Sequence, residues 1–141
     1  MARIFWDTNL FIYLIEDRGA LAERVVDIWR GMLMRSDRLY TSALTVGEIL
    51  VKPVNEGARA LELRYLRLME DRRITVVPFD LSAAPAYSRI RADRSIRPPD
   101  AIQLACAASA EVDLFITNDD RLSTKHVPAI KFITSLARAP L

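Results

Sequence analysis

A chain of 141 residues, 51% hydrophobic and 27% charged, has the length and composition of a single compact domain, read here as residues 1–141, with enough apolar residues for a core. No apolar run approaches the roughly 20 residues of a membrane-spanning helix, and Met1 to Asp7 is too polar for a secretory signal, so a cytoplasmic protein without membrane association is expected. Net charge is only +2, but lysine stands at 52, 125 and 131 alone and the other basic residues are arginine, whose planar fork suits phosphate oxygens.

Ile4, Phe5 and Trp6 read as a short buried strand, and Leu10 to Leu14 as a helix too apolar to face water on most sides. From Ala20 to Met34, Leu21, Val25, Ile28, Trp29, Met32 and Leu33 step by three and four, which predicts an amphipathic helix. A second strand is expected over Arg38 to Thr41. Ser42 then caps a helix running through Glu48 to Lys52, where Pro53 stops it. Ala58 to Arg72 repeats the amphipathic pattern, and Ile74 to Val77 forms a strand closed by Pro78. Leu81 to Asp93 fits a helix interrupted early by Pro85, and Pro98-Pro99 opens an alanine-rich helix reaching about Ser109. Asp113 to Thr117 is the next strand, Ile130 to Ile133 a last one, and Ala137 to Leu141 a frayed tail. Cys106, the single cysteine, excludes an internal disulfide and reads as a buried, inert thiol. Such β-α alternation predicts an α/β fold with a parallel sheet covered on both faces.

Four carboxylates sit at strand ends or helix starts. Asp7 follows the first strand in Asp7-Thr8-Asn9, Glu48 lies in the helix after Ser42, Asp100 follows Pro98-Pro99, and Asp119 ends Ile116-Thr117-Asn118. In an open parallel sheet these positions share one edge, so residues far apart in sequence can meet there. A carboxylate ring repels itself, since two charges about 4 Å apart cost roughly 4 kcal/mol at an effective dielectric near 20. It needs a cation, and hard oxygen ligands favour Mg²⁺ or Mn²⁺. Each residue also has a purely structural reading: Asp7 as a helix cap, Glu48 as the partner of Thr45 in a capping box, Asp100 as a complement to a helix dipole, Asn118-Asp119-Asp120 as a turn. One metal site accounts for all four together, whereas the structural readings must hold separately. The Thr-x-Asp pattern selects Asp119 over Asp120. Asn9 and Thr117 are expected to orient the ligands or a water. Arg89, Arg91, Arg94 and Arg97 can approach phosphates, with a solvated helix face as the plainer role. His126 lies outside these motifs and receives no catalytic role.

Asp7-Thr8-Asn9, Ser42 with Glu48-Ile49, Arg97-Pro98-Pro99-Asp100-Ala101 and Ile116-Thr117-Asn118-Asp119, in that order, resemble the PIN-domain ribonucleases, and most of all their VapC-type toxins. The resemblance spans nearly the whole chain. It implies a three-layer α/β/α PIN-like fold around a central parallel sheet of four to five strands. It implies also a Mg²⁺- or Mn²⁺-dependent endoribonuclease with Asp7, Glu48, Asp100 and Asp119 as catalytic metal ligands, leaving a 5′-phosphate and a 3′-hydroxyl. Further implied are an RNA substrate, a homodimer, and a small cognate antitoxin whose C-terminal segment covers the acidic cleft. Met32, Leu33 and Met34 with Tyr65, Leu66 and Met69 can line an apolar groove for it, or serve the core instead. Departures from the family pattern are mild: Leu122 stands where an aromatic is common. Two other classes compete. A catalytically silent PIN-like module that binds RNA or protein would normally lack one of the four carboxylates. A response-regulator-like phosphohydrolase would need a second acid beside Asp7 and a well-placed lysine, and Lys125 lies in no matching context.

Overall fold

Short apolar strands alternate with helices, and the connections decide which strand ends meet. In the computed structural model, which describes residues 1–16 and 19–140, five strands form one sheet: β1 (Arg3–Trp6), β2 (Arg38–Ser42), β3 (Ile74–Val77), β4 (Leu114–Thr117) and β5 (Phe132–Ser135). Their order is β3-β2-β1-β4-β5 and every pairing is parallel. The first three strands step outward to one side of β1, and the last two step outward to the other. The order therefore reverses between β1 and β4, and at such a switch point the loops leaving the two strands diverge and open a crevice at their carboxyl ends. In register, Phe5 lies beside both Tyr40 and Phe115, and Trp6 beside Ile116.

Among the described residues seven helices cover the sheet: α1 (Thr8–Glu16), α2 (Ala20–Arg35), α3 (Ala43–Asn55), α4 (Arg59–Met69), α5 (Ala84–Ile90), α6 (Pro98–Ser109) and the single turn α7 (Asp120–Ser123). Successive strand residues point to opposite faces, so each face has its own core. Ile4, Trp6, Leu39, Leu114 and Ile116 pack with Leu10 and Phe11 of α1, Val25, Ile28 and Met32 of α2, and Tyr65 of α4. Phe5 and Phe115, stacked 5.0 Å apart, meet Ala101, Leu104, Ala105 and Ala108 of α6 on the other face. Both faces of β1 and β4 are thus buried, as a parallel sheet between helix layers requires. The three-layer architecture and the parallel sheet agree with the reading from sequence. The alanines of α6 matter here because small side chains let that helix lie close to the sheet, bringing Asp100 in its first turn to the sheet edge.

Several boundaries differ from those expected. Helix α3 does not stop at Pro53 but runs on to Asn55; Pro53 costs the helix the bond to the Ile49 carbonyl, yet it is buried, and the Glu56 N–H reaches the Lys52 carbonyl at 3.0 Å. Pro85 lies in the first turn of α5 and so starts that helix rather than interrupting it. The residues before it form a turn in which Asp80 takes the Ser82 N–H and hydroxyl. The C-terminal segment is anchored: Leu136 and Ala139 are buried, and Arg24 donates to the Leu136 and Ala139 carbonyls at 3.3 and 2.5 Å. Leu141, the end of the tail expected to fray, lies outside the described residues. Met32 and Tyr65 belong to the core, which leaves Leu33 and Met34 as the exposed part of the expected groove. No helix among the described residues is long and apolar enough to cross a membrane.

Candidate active site

The carboxyl edge of the sheet gathers the candidate residues. Asp7 follows the last residue of β1, and its backbone N–H continues the sheet by donating to the Ile116 carbonyl at 3.1 Å. Its carboxylate accepts the Thr8 N–H at 2.7 Å and the Thr117 hydroxyl, from the end of β4, at 2.8 Å. A helix cap would instead take an N–H two or three residues into the helix. Thr117 is fully buried and also accepts the Asp119 N–H at 3.0 Å, so one hydroxyl ties two of the four candidate acids to one strand end. Asn9 is exposed and its side chain makes no hydrogen bond among the described residues; the group beside it that holds Asp7 is the Thr8 amide.

Glu48 is placed by a buried polar network. Ser42 ends β2 and caps α3, taking the Thr45 N–H at 3.2 Å. Its hydroxyl donates to Gln103 Oε1 at 2.5 Å, and Gln103 Nε2 donates to Thr45 at 2.7 Å and to Thr8 at 3.0 Å. The Thr8 hydroxyl in turn donates to Glu48 Oε1 at 2.7 Å. Glu48 thus faces α1 and the sheet edge instead of bracing its own helix start. Gln103, 2% exposed, ties α6 to α1 and α3, and a buried network satisfied in this way fixes the relative placement of its members. The sequence reading passed over Gln103, Thr8 and Arg121. A lone amide on the otherwise apolar Ala101, Leu104, Ala105 face of α6 was the signal for the first.

Asp100 is partly buried in the first turn of α6, and its carboxylate makes no hydrogen bond or ion pair among the described residues. Asp119 caps α7 by taking the Arg121 N–H at 2.9 Å, and the Arg121 guanidinium pairs with it at 3.2 Å. Asp120 is exposed.

Charge coupling links Asp7 to Asp100 and Glu48, and Asp100 to Asp119 and Glu48. Burial pushes the Asp7 carboxyl up to about 6, against the pull of the Thr117 and Thr8 bonds, and the charges of Asp100 and Glu48 push the same way. Asp100 is also raised, first by burial and then by Asp119 and Glu48, with Arg121 and Arg97 opposing. Asp119 is lowered, chiefly by its bond to Arg121. Among the described residues no group of three or more His, Cys, Asp or Glu side chains is already gathered to hold an ion; Glu48 is engaged by Thr8 and Asp119 by Arg121. The donor set nevertheless fits a hard divalent cation, being all carboxylate, mutually repelling, and in Asp7 and Asp100 making no ion pair among the described residues. His126 lies elsewhere, on a cleft of about 650 Å³ between α5 and the segment before β5, with Arg89 and Lys125.

The PIN domain family pattern matches residues 4–127. No curated protein sequence matches significantly. Among solved structures, a chain of VapBC2 from Rickettsia felis bound to a DNA fragment from their promoter superposes with a TM-score of 0.74 at 12% identity, covering 94% of this chain and 98% of the other. DNA-bound VapBC from Salmonella typhimurium gives 0.67 at 23%, covering 96% and 99%. VapC20 of Mycobacterium tuberculosis, a sarcin-ricin loop cleaving toxin, gives 0.71 at 14%, covering 90% and 98%. At these identities the likeness is one of fold.

Proposed function

The chain belongs to the PIN-domain family, and from that premise we propose that residues 1–141 form a single-domain, divalent-metal-dependent endoribonuclease of the VapC toxin type, acting in the cytoplasm. The observation that supports this reading is that Asp7, Glu48, Asp100 and Asp119, from four separate elements, lie around the switch-point edge of the sheet, where Asp7 and Asp100 are raised by burial and by the charges of their acidic neighbours. Asp7 and Asp100, desolvated and in no ion pair among the described residues, are the central ligands; Glu48 and Asp119 complete the set. Mg²⁺, with Mn²⁺ as a substitute, would activate a water and neutralise the charge that develops on the phosphate and the leaving oxygen. The protein's own work is placement. Thr117 and the Thr8 amide fix the Asp7 oxygens, the Ser42-Gln103-Thr45-Thr8 chain fixes Glu48, and Arg97 lies near enough to act on Asp100 and Asp119. No histidine or lysine is needed as a base.

The structural neighbours that occur as VapBC complexes support a small cognate antitoxin as partner, and we include in the proposal a homodimer of this chain. The exposed Leu33 and Met34 of α2 offer apolar surface for either contact. The test is cleavage of a mixed transfer and ribosomal RNA pool by antitoxin-free protein, with Mg²⁺ or Mn²⁺ against chelator and Asp100→Asn as control. Discrete metal-dependent products that the variant does not give are expected. A second reading, a PIN-like module that binds RNA or protein without cutting, is favoured by the absence of a ready-gathered ligand group among the described residues; RNA retention without cleavage by metal-bound protein would select it.

A further inference from the structure

Of the four acids at the sheet edge, Asp119 alone has a cation within ion-pair distance among the described residues. The pair is loose. Arg121 Nε and Nη2 stand 3.3 and 3.2 Å from the Asp119 oxygens, and the arginine side chain is 62% exposed, so the guanidinium is held weakly and is free to rotate outward. The two oxygens of Asp119 also differ in duty. Oδ1 takes the Arg121 backbone N–H, the bond that caps α7, while Oδ2 is held only by the guanidinium. Losing the guanidinium would therefore free one oxygen without undoing the turn. The charge of Arg121 acts on Asp100 as well, so one guanidinium serves two of the four acids.

We propose that Arg121 is an internal counter-ion of the carboxylate cleft, holding Asp119 while the cleft is metal-free, yielding Oδ2 when a divalent cation enters, and then turning its fork to a phosphate of the substrate strand. This rests on the metal-dependent nuclease reading above. In outline, a divalent cation replaces the singly charged guanidinium at Asp119, and the released guanidinium meets the phosphodiester that would otherwise be repelled by the acidic edge. A planar guanidinium can engage two phosphate oxygens at once, which an ammonium cannot. Arg97, at the start of α6, supplies the natural comparison, because it acts on the same two acids and yet makes no hydrogen bond or ion pair with them.

The test is a titration of metal-free protein with Mn²⁺, read by the electron paramagnetic resonance signal of the free ion, for the native chain, Arg121→Gln, Arg121→Lys and Arg97→Gln, each checked for native circular dichroism. Arg121→Gln should bind Mn²⁺ about fivefold more tightly, the worth of an exposed ion pair no longer to be broken, with Arg97→Gln changed less. At saturating Mn²⁺ the same Arg121→Gln should show a raised KM for RNA with kcat little altered, and Arg121→Lys should recover metal affinity close to native while leaving KM raised. Unchanged or weaker Mn²⁺ binding by Arg121→Gln, or an equal gain from Arg97→Gln, would overturn the counter-ion role and leave the nuclease reading standing. Failure of the native chain to bind Mn²⁺ at all would remove both.

Discussion

Asp7 carries a cost at neutral pH that its function would explain. Its carboxyl is raised from 3.8 to about 6, so between these values the folded protein holds a proton that the unfolded chain has released. Asp7's own contribution to stability is therefore fully present below about 4, is lost as pH rises through about 6, and is level above it; its two pKa units correspond to about 3 kcal/mol. The lowered carboxyls of Asp71 and Asp93, both at about 2, work the opposite way at acid pH. Asp7→Asn should abolish cleavage while raising the stability of metal-free protein at pH 7.5 by about 1–3 kcal/mol, less than the full amount because an amide nitrogen replaces one acceptor oxygen. Urea unfolding of both proteins at pH 4 and pH 7.5 in chelator measures this, and an Asp7→Asn gain no larger at pH 7.5 than at pH 4 would contradict it. Gln103 makes the complementary case. Replacing it by Leu keeps the volume but removes the amide that joins Thr45 and Thr8 and leaves the buried Ser42 hydroxyl without its acceptor, at about 1–3 kcal/mol. Because Thr8 is also the group that holds Glu48, cleavage should fall tenfold or more, on the order typical of groups that orient metal ligands. Full activity in a destabilised Gln103→Leu protein would show that Glu48 is placed without the network. Asp7, Asp100 and Asp119 stand out in the sequence because each follows a strand or opens a helix, whereas Glu48 lies in the body of α3. Gln103 and Arg121 do not stand out, since their roles depend on contacts with residues 58 to 95 positions away in one case, and on a two-residue turn in the other.

Elements were legible wherever local chemistry decides. The Ser42 cap, the Pro98-Pro99 start of α6 and the three-four spacing of α2 all lie where pattern and propensity point the same way. At Pro53 and in the C-terminal segment tertiary packing overrides propensity, whereas Pro85 follows proline's local preference for a helix's first turn. Pro53 would end an exposed helix, but buried against the core it rides inside α3. The C-terminal residues look like a tail until Arg24 and the core below Leu136 hold them. Helix α6 offers a test of how packing sets the site. Ala105 is fully buried on the side of α6 that meets Phe5 and Phe115, so Ala105→Leu should overpack the layer and cost about 1–3 kcal/mol. The strain lifts the helix that carries both Asp100 and Gln103. We expect the variant to remain folded at 25 °C and to lose Mn²⁺ affinity, measured by calorimetry; native affinity would mean that α6 can shift without moving Asp100 off the edge.

Taken as a whole, the molecule joins acids 112 positions apart in sequence, from Asp7 to Asp119, and does so only when all of β1, β2 and β4 are paired. An unfolded chain offers no such cluster. A divalent ion that binds the native edge must then stabilise the entire fold by mass action, by about 2.7 kcal/mol when its concentration is a hundredfold above the dissociation constant. The same ion would offset the penalty carried by Asp7, since a nearby positive charge favours the ionised carboxylate. Unfolding midpoints in urea at pH 7.5 should therefore rise with added Mg²⁺ or Mn²⁺ for the native chain, and the loss of Asp7's contribution between pH 4 and pH 7 should shrink when metal is present. Asp100→Asn removes an unpaired ligand charge without disturbing any hydrogen bond among the described residues, so it should unfold near the metal-free native midpoint and lose most of the metal-dependent rise. If the native midpoint stayed fixed across metal concentrations while Asp100→Asn behaved identically, the acids would be four neighbours on a sheet edge and not one binding site, because linkage leaves no way for an ion to occupy the native cluster and spare the stability of the fold that builds it.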